Sequence, residues 1–157
     1  MIHHQRTLVI DASPKAVWGV LGRFMHIDEF APFVETVEAL TSGDDQVGSK
    51  RRCHFTDGSA MVEEVTEWEA NRRYRVRLSE TDPMPLKVAY AELSIRPHGI
   101  GQTHVEWSMD YQVKYGPFGW LLGQTMMKIM MGKILVANLN GLAKRVKTNQ
   151  TAGMQSS

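Results

Sequence analysis

Three polar side chains flank one tight turn: Arg52 and His54 before it, Glu63 after it. A guanidinium, an imidazole and a carboxylate at that spacing could polarise a carbonyl and move a proton. The turn is Asp57-Gly58, whose residues tolerate positive φ, so the flanking segments read as a hairpin. A two-residue turn sets Phe55 opposite Ala60, His54 opposite Met61 and Arg52 opposite Glu63. Cys53, Phe55, Ala60 and Val62 then share the more apolar face, which is expected to point inward. Arg52–Glu63 becomes an exposed cross-strand ion pair, worth little. This register strands Met61 and Val65 outside. A bulge would exchange the faces and send Glu63 inward, where it could serve as acid or base.

Other chemistries find less support. His3, His4, His26, His98 and His104 lack metal-ligand spacing, and neighbours on a strand such as His3 and His4 point to opposite faces. Ser42, Ser49 and Ser59 have no nucleophile-elbow context. Gly43-Asp44-Asp45-Gln46-Val47-Gly48 has no Lys-Ser/Thr pair and leads into no helix, so it is not a phosphate loop. No metal or cofactor is therefore expected. Cys53 is the one cysteine, which excludes an internal disulfide. Arg72, Arg73, Arg75 and Arg77 form a basic stripe, but Glu63, Glu67 and Glu69 balance it. With a net charge of +1, nucleic acid is not an expected partner.

The elements that must position these residues follow from periodicity. A length of 157 residues with 43% hydrophobic and 22% charged content suits one soluble globular domain. Residues 2–10 read as a strand. Ser13 caps a helix with Pro14 in its first turn, and Val17, Trp18, Leu21 and Phe24 supply its apolar stripe. A second short helix, His26 to Phe30, stops before Pro32. Strands follow at Val34–Leu40, Gly48–Phe55, Ala60–Trp68, Tyr74–Leu78, Leu86–Arg96 and Thr103–Tyr111. In the last of these Val105, Trp107, Met109 and Tyr111 alternate with polar residues, as in an antiparallel sheet with one wet face. Pro117 to Lys147 reads as one long helix, with Phe118, Leu122, Met126, Ile129, Val136 and Leu139 as its inner stripe. The polar end, 149–157, is expected to be a flexible tail on a domain of residues 1–148. No run of about eighteen apolar residues suggests a membrane span, and no signal-like segment opens the chain. A cytoplasmic location is expected.

This α+β plan resembles the START-like, helix-grip superfamily, and within it the polyketide cyclase/dehydrase type. The resemblance rests on Ile10-Asp11-Ala12-Ser13-Pro14-Lys15-Ala16-Val17-Trp18, Gly48-Ser49-Lys50-Arg51, Asp57-Gly58 and Glu63-Glu64-Val65-Thr66-Glu67-Trp68. Arg73-Tyr74, Gly101-Gln102-Thr103, Trp107 and the closing helix complete it, over about residues 2–147. It implies a curved seven-stranded antiparallel sheet around a long C-terminal helix, with two short helices between the first two strands. It also implies an apolar cavity between sheet and helix. Ile27-Asp28-Glu29-Phe30-Ala31-Pro32-Phe33 is similar to the corresponding stretch of coenzyme-Q-binding members, with Ala31 where others often have tryptophan. The expected lining is Phe30 and Phe33 near the mouth, Tyr74, Trp107, Met109 and Tyr111 on the sheet, and Leu122, Met126, Ile129 and Met130 on the helix. The expected partner is a small hydrophobic molecule (lipid, quinone or polyketide-like), carried or sensed. The alternatives are an aromatase/cyclase-like enzyme using Glu63, His54 or Arg52, and a non-catalytic partner-binding protein. Nothing in the sequence selects an oligomeric state.

Overall fold

The computed structural model describes residues 1–43, 46–82 and 84–156, and their side chains apart from 122–124 and 152–156. Asp44 and Asp45 of the first predicted turn, Pro83, and the Leu122 side chain lie outside the described residues.

Strand β1 (Ile2–Ile10) leads through Ser13, whose Oγ accepts the Ala16 N–H at 3.2 Å, into helix α1 (Pro14–Leu21). A 3₁₀ turn, Phe24–Glu29, follows. Strands β2 (Val34–Ala39), β3 (Lys50–Phe55), β4 (Ala60–Glu69), β5 (Arg73–Ser79), β6 (Leu86–Pro97) and β7 (Thr103–Val113) come next. Helix α2 (Gly116–Leu122), a π turn (Gly123–Met127) and helix α3 (Lys128–Ser156) close the chain. All pairings are antiparallel, in the order β1-β7-β6-β5-β4-β3-β2. This is the helix-grip plan: the sheet's apolar face is buried beneath α1, the 3₁₀ turn and α3. One inner row crosses six strands through Ile2, Tyr111, Ala89, Leu78, Glu63 and Arg51. The outer face is wet and ion-paired. Arg73 donates to Glu67, Glu69 and Glu92, and Arg75 lies 3.4 Å from Asp110, so carboxylates do balance these two cations of the basic stripe.

Two sequence expectations fail here, each for a local reason. The β3–β4 loop has three residues rather than two. The Gly58 N–H reaches the Phe55 carbonyl and the Phe55 N–H reaches the Ser59 carbonyl, with Gly58 at φ +88°. That geometry is a turn plus a one-residue bulge. It pairs His54 with Ala60, Cys53 with Met61, Arg52 with Val62 and Arg51 with Glu63. Arg52 is therefore not opposite Glu63, and Met61 and Glu63 share the inner face with Cys53.

The second failure concerns the long helix. Its large apolar side chains that are buried, among those described, are Met127, Met131, Leu135, Leu139, Leu142 and Val146. Among the described side chains of the expected inner stripe, Leu139 is buried, whereas Phe118, Met126, Ile129 and Val136 are exposed. The π turn inserts an extra residue at 123–127, so Met127 rather than Met126 swings inward and the following turns inherit that phase.

Candidate ligand-binding site

The predicted site residues separate into three places. Tyr74, Trp107, Met109 and Tyr111 are buried on the inner sheet face, as alternation requires, and Phe30 is buried against Trp107 with ring centroids 6.3 Å apart. Met126, Ile129 and Met130 are not with them: they are 71%, 64% and 41% exposed on the outward side of the helix. Phe33 is also exposed, at 45%. Arg52 and His54 lie on the outer face, both within ion-pair distance of Glu38 Oε1, at 3.2 and 3.4 Å. They do not converge with Glu63.

Glu63 meets a residue that the sequence argument passed over. Arg51 is fully buried, and its Nη2 donates to Glu63 Oε2 at 3.0 Å. Its Nη1 donates to the Phe24 carbonyl, and its guanidinium lies 3.9 Å from the Phe24 ring centroid. The Cys53 thiol donates to Glu63 Oε1 at 3.2 Å. The Tyr74 ring is stacked on Trp68 at 5.2 Å and meets Phe24 edge-on. Burial, reinforced by the Glu63 carboxylate, pushes the Cys53 thiol well above its usual range, which favours the protonated thiol. Burial likewise pushes the Tyr74 phenol up to about 12. Burial opposes the charge of Arg51, but Glu63 holds its guanidinium above its usual range. These groups tie the 3₁₀ turn to β3 and β4. The signal that could have found Arg51 was Met61 and Val65: keeping them inside moves the β3–β4 pairing by one residue and sets Arg51 against Glu63.

Open space lies at the other end of the same inner row. A cleft of about 270 Å³ is lined by Ile2, Tyr111 and Val113 of the sheet, by Met1, and by Tyr115 and Trp120 on the α2 side. A second cleft, of about 410 Å³, lies between the β5–β6 loop (Ser79–Asp82) and β6, and shares Lys87 and Lys114 with the first. Helix α2 is held over the first cleft by an unusual hinge. Tyr115 and Gly116 both have positive φ, +79° and +58°, and only glycine adopts that region without strain. Gly119 then packs so tightly on the end of β7 that a Cβ there would overlap the Lys114 carbonyl oxygen. Among the described residues no group of three His, Cys, Asp or Glu is placed to hold a metal ion.

A family model described as "Polyketide cyclase / dehydrase and lipid transport" matches residues 1–147. The chain belongs to that family. Its solved structural relatives share the fold at low identity. The protein XoxI from Bacillus cereus is 20% identical, with a TM-score of 0.78, over 96% of this chain and 99% of that one. The Zhui aromatase/cyclase from Streptomyces sp. R1128 is 19% identical, with a TM-score of 0.78, over 93% of both chains. A START superfamily protein from Mycobacterium smegmatis is 20% identical, with a TM-score of 0.75, over 93% of this chain and 97% of that one. No curated protein sequence matches the chain.

Proposed function

We propose that this family member is a carrier for a small apolar molecule, taken up at the end of the sheet beneath α2. The observation that supports it most is the cleft of about 270 Å³, floored by Ile2, Tyr111 and Val113 and bounded by Trp120. Ligand sites are mostly apolar clefts with few polar groups, and buried apolar contact contributes roughly 25 cal/mol per Å². The cleft is smaller than the roughly 300–1,000 Å³ usual for such sites, so a guest longer than one ring must lift α2. The Tyr115-Gly116 hinge and the π turn at either end of α2 suit that movement.

An enzyme reading is less favoured. The inward acid and guanidinium, Glu63 and Arg51, are committed to each other, to Cys53 and to the Phe24 carbonyl. Arg52 and His54 face outward beside Glu38.

The test is a displacement titration. A solvatochromic dye such as Nile red is bound first, then competed with a long-chain fatty acid, a short-chain quinone and an aromatic polyketide. Native mass spectrometry is run on the same samples. Saturable one-to-one displacement with a matching mass adduct is expected for at least one class. Absence of both for all three would reject the carrier reading.

A further inference from the structure

The segment that covers the cleft is apolar on its outside as well. Tyr115, Phe118, Trp120, Leu121, Met126, Ile129, Met130 and Val136 are all exposed, Phe118 at 73% and Trp120 at 60%. Met126, Ile129 and Met130, and Val136 seven residues after Ile129, lie on the side away from the buried Met127, Met131 and Leu135. The first turns of α3 are therefore apolar on both faces, which a helix bathed only in water does not favour. Met1, also exposed, lines the same cleft as Trp120 and extends the patch.

Charge indicates what covers this face. From Gln112 to Ser157 the sequence has no Asp or Glu, while Lys114, Lys128, Lys133, Lys144, Arg145 and Lys147 are all cations. Lys128 and Lys133 alternate in sequence with these exposed apolar residues and are themselves exposed. Lys114 at the hinge lies 3.7 Å from the exposed Asp82. A two-fold contact with a second copy would bring these lysines face to face with no carboxylate of the segment to offset them. An anionic surface would be attracted instead. Exposed Trp, Tyr and Phe mixed with Leu, Ile, Met and lysine is the composition of a helix that lies in a bilayer interface. No described helix is long and apolar enough to cross a membrane, so the segment would lie on the surface.

We infer that α2, the π turn and the first turns of α3 form a docking face for an anionic lipid bilayer. The aromatic and aliphatic side chains enter the interface, and Lys128 and Lys133 meet the headgroups. Docking would set the mouth of the cleft against the membrane. The inference stands on exposure and charge, and does not require the cleft to hold a guest.

The experiment uses the full chain with two vesicle types: phosphatidylcholine alone, and phosphatidylcholine with roughly one-third phosphatidylglycerol. Binding is read by co-sedimentation and by a blue shift of the exposed Trp120. The wild type should bind the anionic vesicles about tenfold or more tightly than the neutral ones, and added salt should weaken that preference. Ile129→Gln/Met130→Gln, at two exposed positions of α3 outside both the cleft and the π turn, should weaken binding to both vesicle types by about tenfold with the thermal midpoint retained. Lys128→Glu/Lys133→Glu should abolish the anionic preference. Dye displacement in solution should be unchanged in the Gln pair, which separates failure of docking from failure of guest binding. Equal sedimentation of wild type and the Gln pair would overturn the inference. So would a concentration-dependent dimer that the Gln pair abolishes, because the face would then belong to a second copy.

Discussion

At the scale of single residues, the most consequential group is the Arg51–Glu63 pair. A buried ion pair gains little over well-packed apolar residues, yet removing one partner leaves a charge uncompensated. Glu63→Gln removes the charge that offsets the buried Arg51 guanidinium, and leaves one amide oxygen where two carboxylate oxygens accept from Arg51 and from the Cys53 thiol. Urea unfolding should show a loss of about 3–5 kcal/mol, whereas Arg51→Met/Glu63→Leu should recover most of it. A double variant as unstable as the single one would show that the charges are needed in themselves. His4 offers a second test. It is buried at the β1–α3 seam, and its Nε2 has no hydrogen-bond partner among the described residues. A Cβ on Gly132 of α3 would lie 3.0 Å from that nitrogen and 2.8 Å from Arg6 Nη2, so the helix rests directly on both side chains. Burial, and then the cations Arg6, Lys128 and His3, hold the imidazole below its usual 6.5. The folded chain therefore takes up this proton less readily than the unfolded one. The His4 contribution is fully present above about pH 6.5 and is lost as pH falls through the lowered folded value. His3 works in the opposite sense: its hydrogen bonds to Gln5 and Asp110 raise its value, so its contribution is lost as pH rises. It is exposed and counts for less. Thermal midpoints between about pH 7.5 and pH 5 should fall in the wild type and fall less in His4→Gln. Parallel slopes for the two proteins would remove His4 from the account.

At the scale of elements, α3 depends on close approach to the 3₁₀ corner. Gly141 sits in the helix interior, where alanine would ordinarily add about 1 kcal/mol of helix propensity. Here a Cβ would overlap the Phe30 carbonyl oxygen and lie 3.4 Å from Pro32 Cδ. Gly141→Ala should destabilise by about 1–3 kcal/mol in chemical denaturation. Gly19→Ala in α1, with nothing within 4 Å of the new methyl, should instead stabilise by about 0.5–1 kcal/mol. Opposite signs for the same substitution isolate the packing from the propensity. The same elements show what could be read from the chain. Ser13-Pro14, the alternation through Val105–Tyr111, and the Leu78 and Val76 positions predict the helix start and the strands. Each of those signals is complete within a few residues. The two features that misplaced the site are not local in that way. The β3–β4 register turns on whether the loop at Asp57-Gly58 has two residues or three. The helix face turns on a π turn in a segment with apolar residues on both sides, where periodicity alone selects either stripe. Both errors are shifts of phase by one residue, and both moved residues between the wet side and the dry side.

At the scale of the whole molecule, what matters is that the inner space is largely occupied by the protein itself. Tyr111, Met127, Met131, Leu135 and Leu139 are all buried, so the sheet and α3 are already in contact along the middle of the grip. A guest cannot simply fall into such a core; the free energy of exposing the cleft is part of its binding equilibrium. Apparent affinity is then the intrinsic affinity reduced by the fraction of molecules in which α2 is raised. That fraction should respond to Gly119, which among the described side chains of α2 is the buried position. A methyl there overlaps the Lys114 carbonyl oxygen and reaches Val113 Cγ1 at 3.4 Å, so Gly119→Ala pushes α2 off the end of β7. Helix α2 buries little else among its described side chains, so the thermal midpoint should change by only about 1–3 °C. Raising the open fraction should speed dye association and tighten apparent affinity, by up to about tenfold. It should also hasten hydrogen exchange in α2 of the free protein while leaving the amides of β4 and β5 protected. Slower association in Gly119→Ala, or faster exchange spread evenly over the sheet, would mean that α2 is a fixed wall and that any guest must reach the grip by another route.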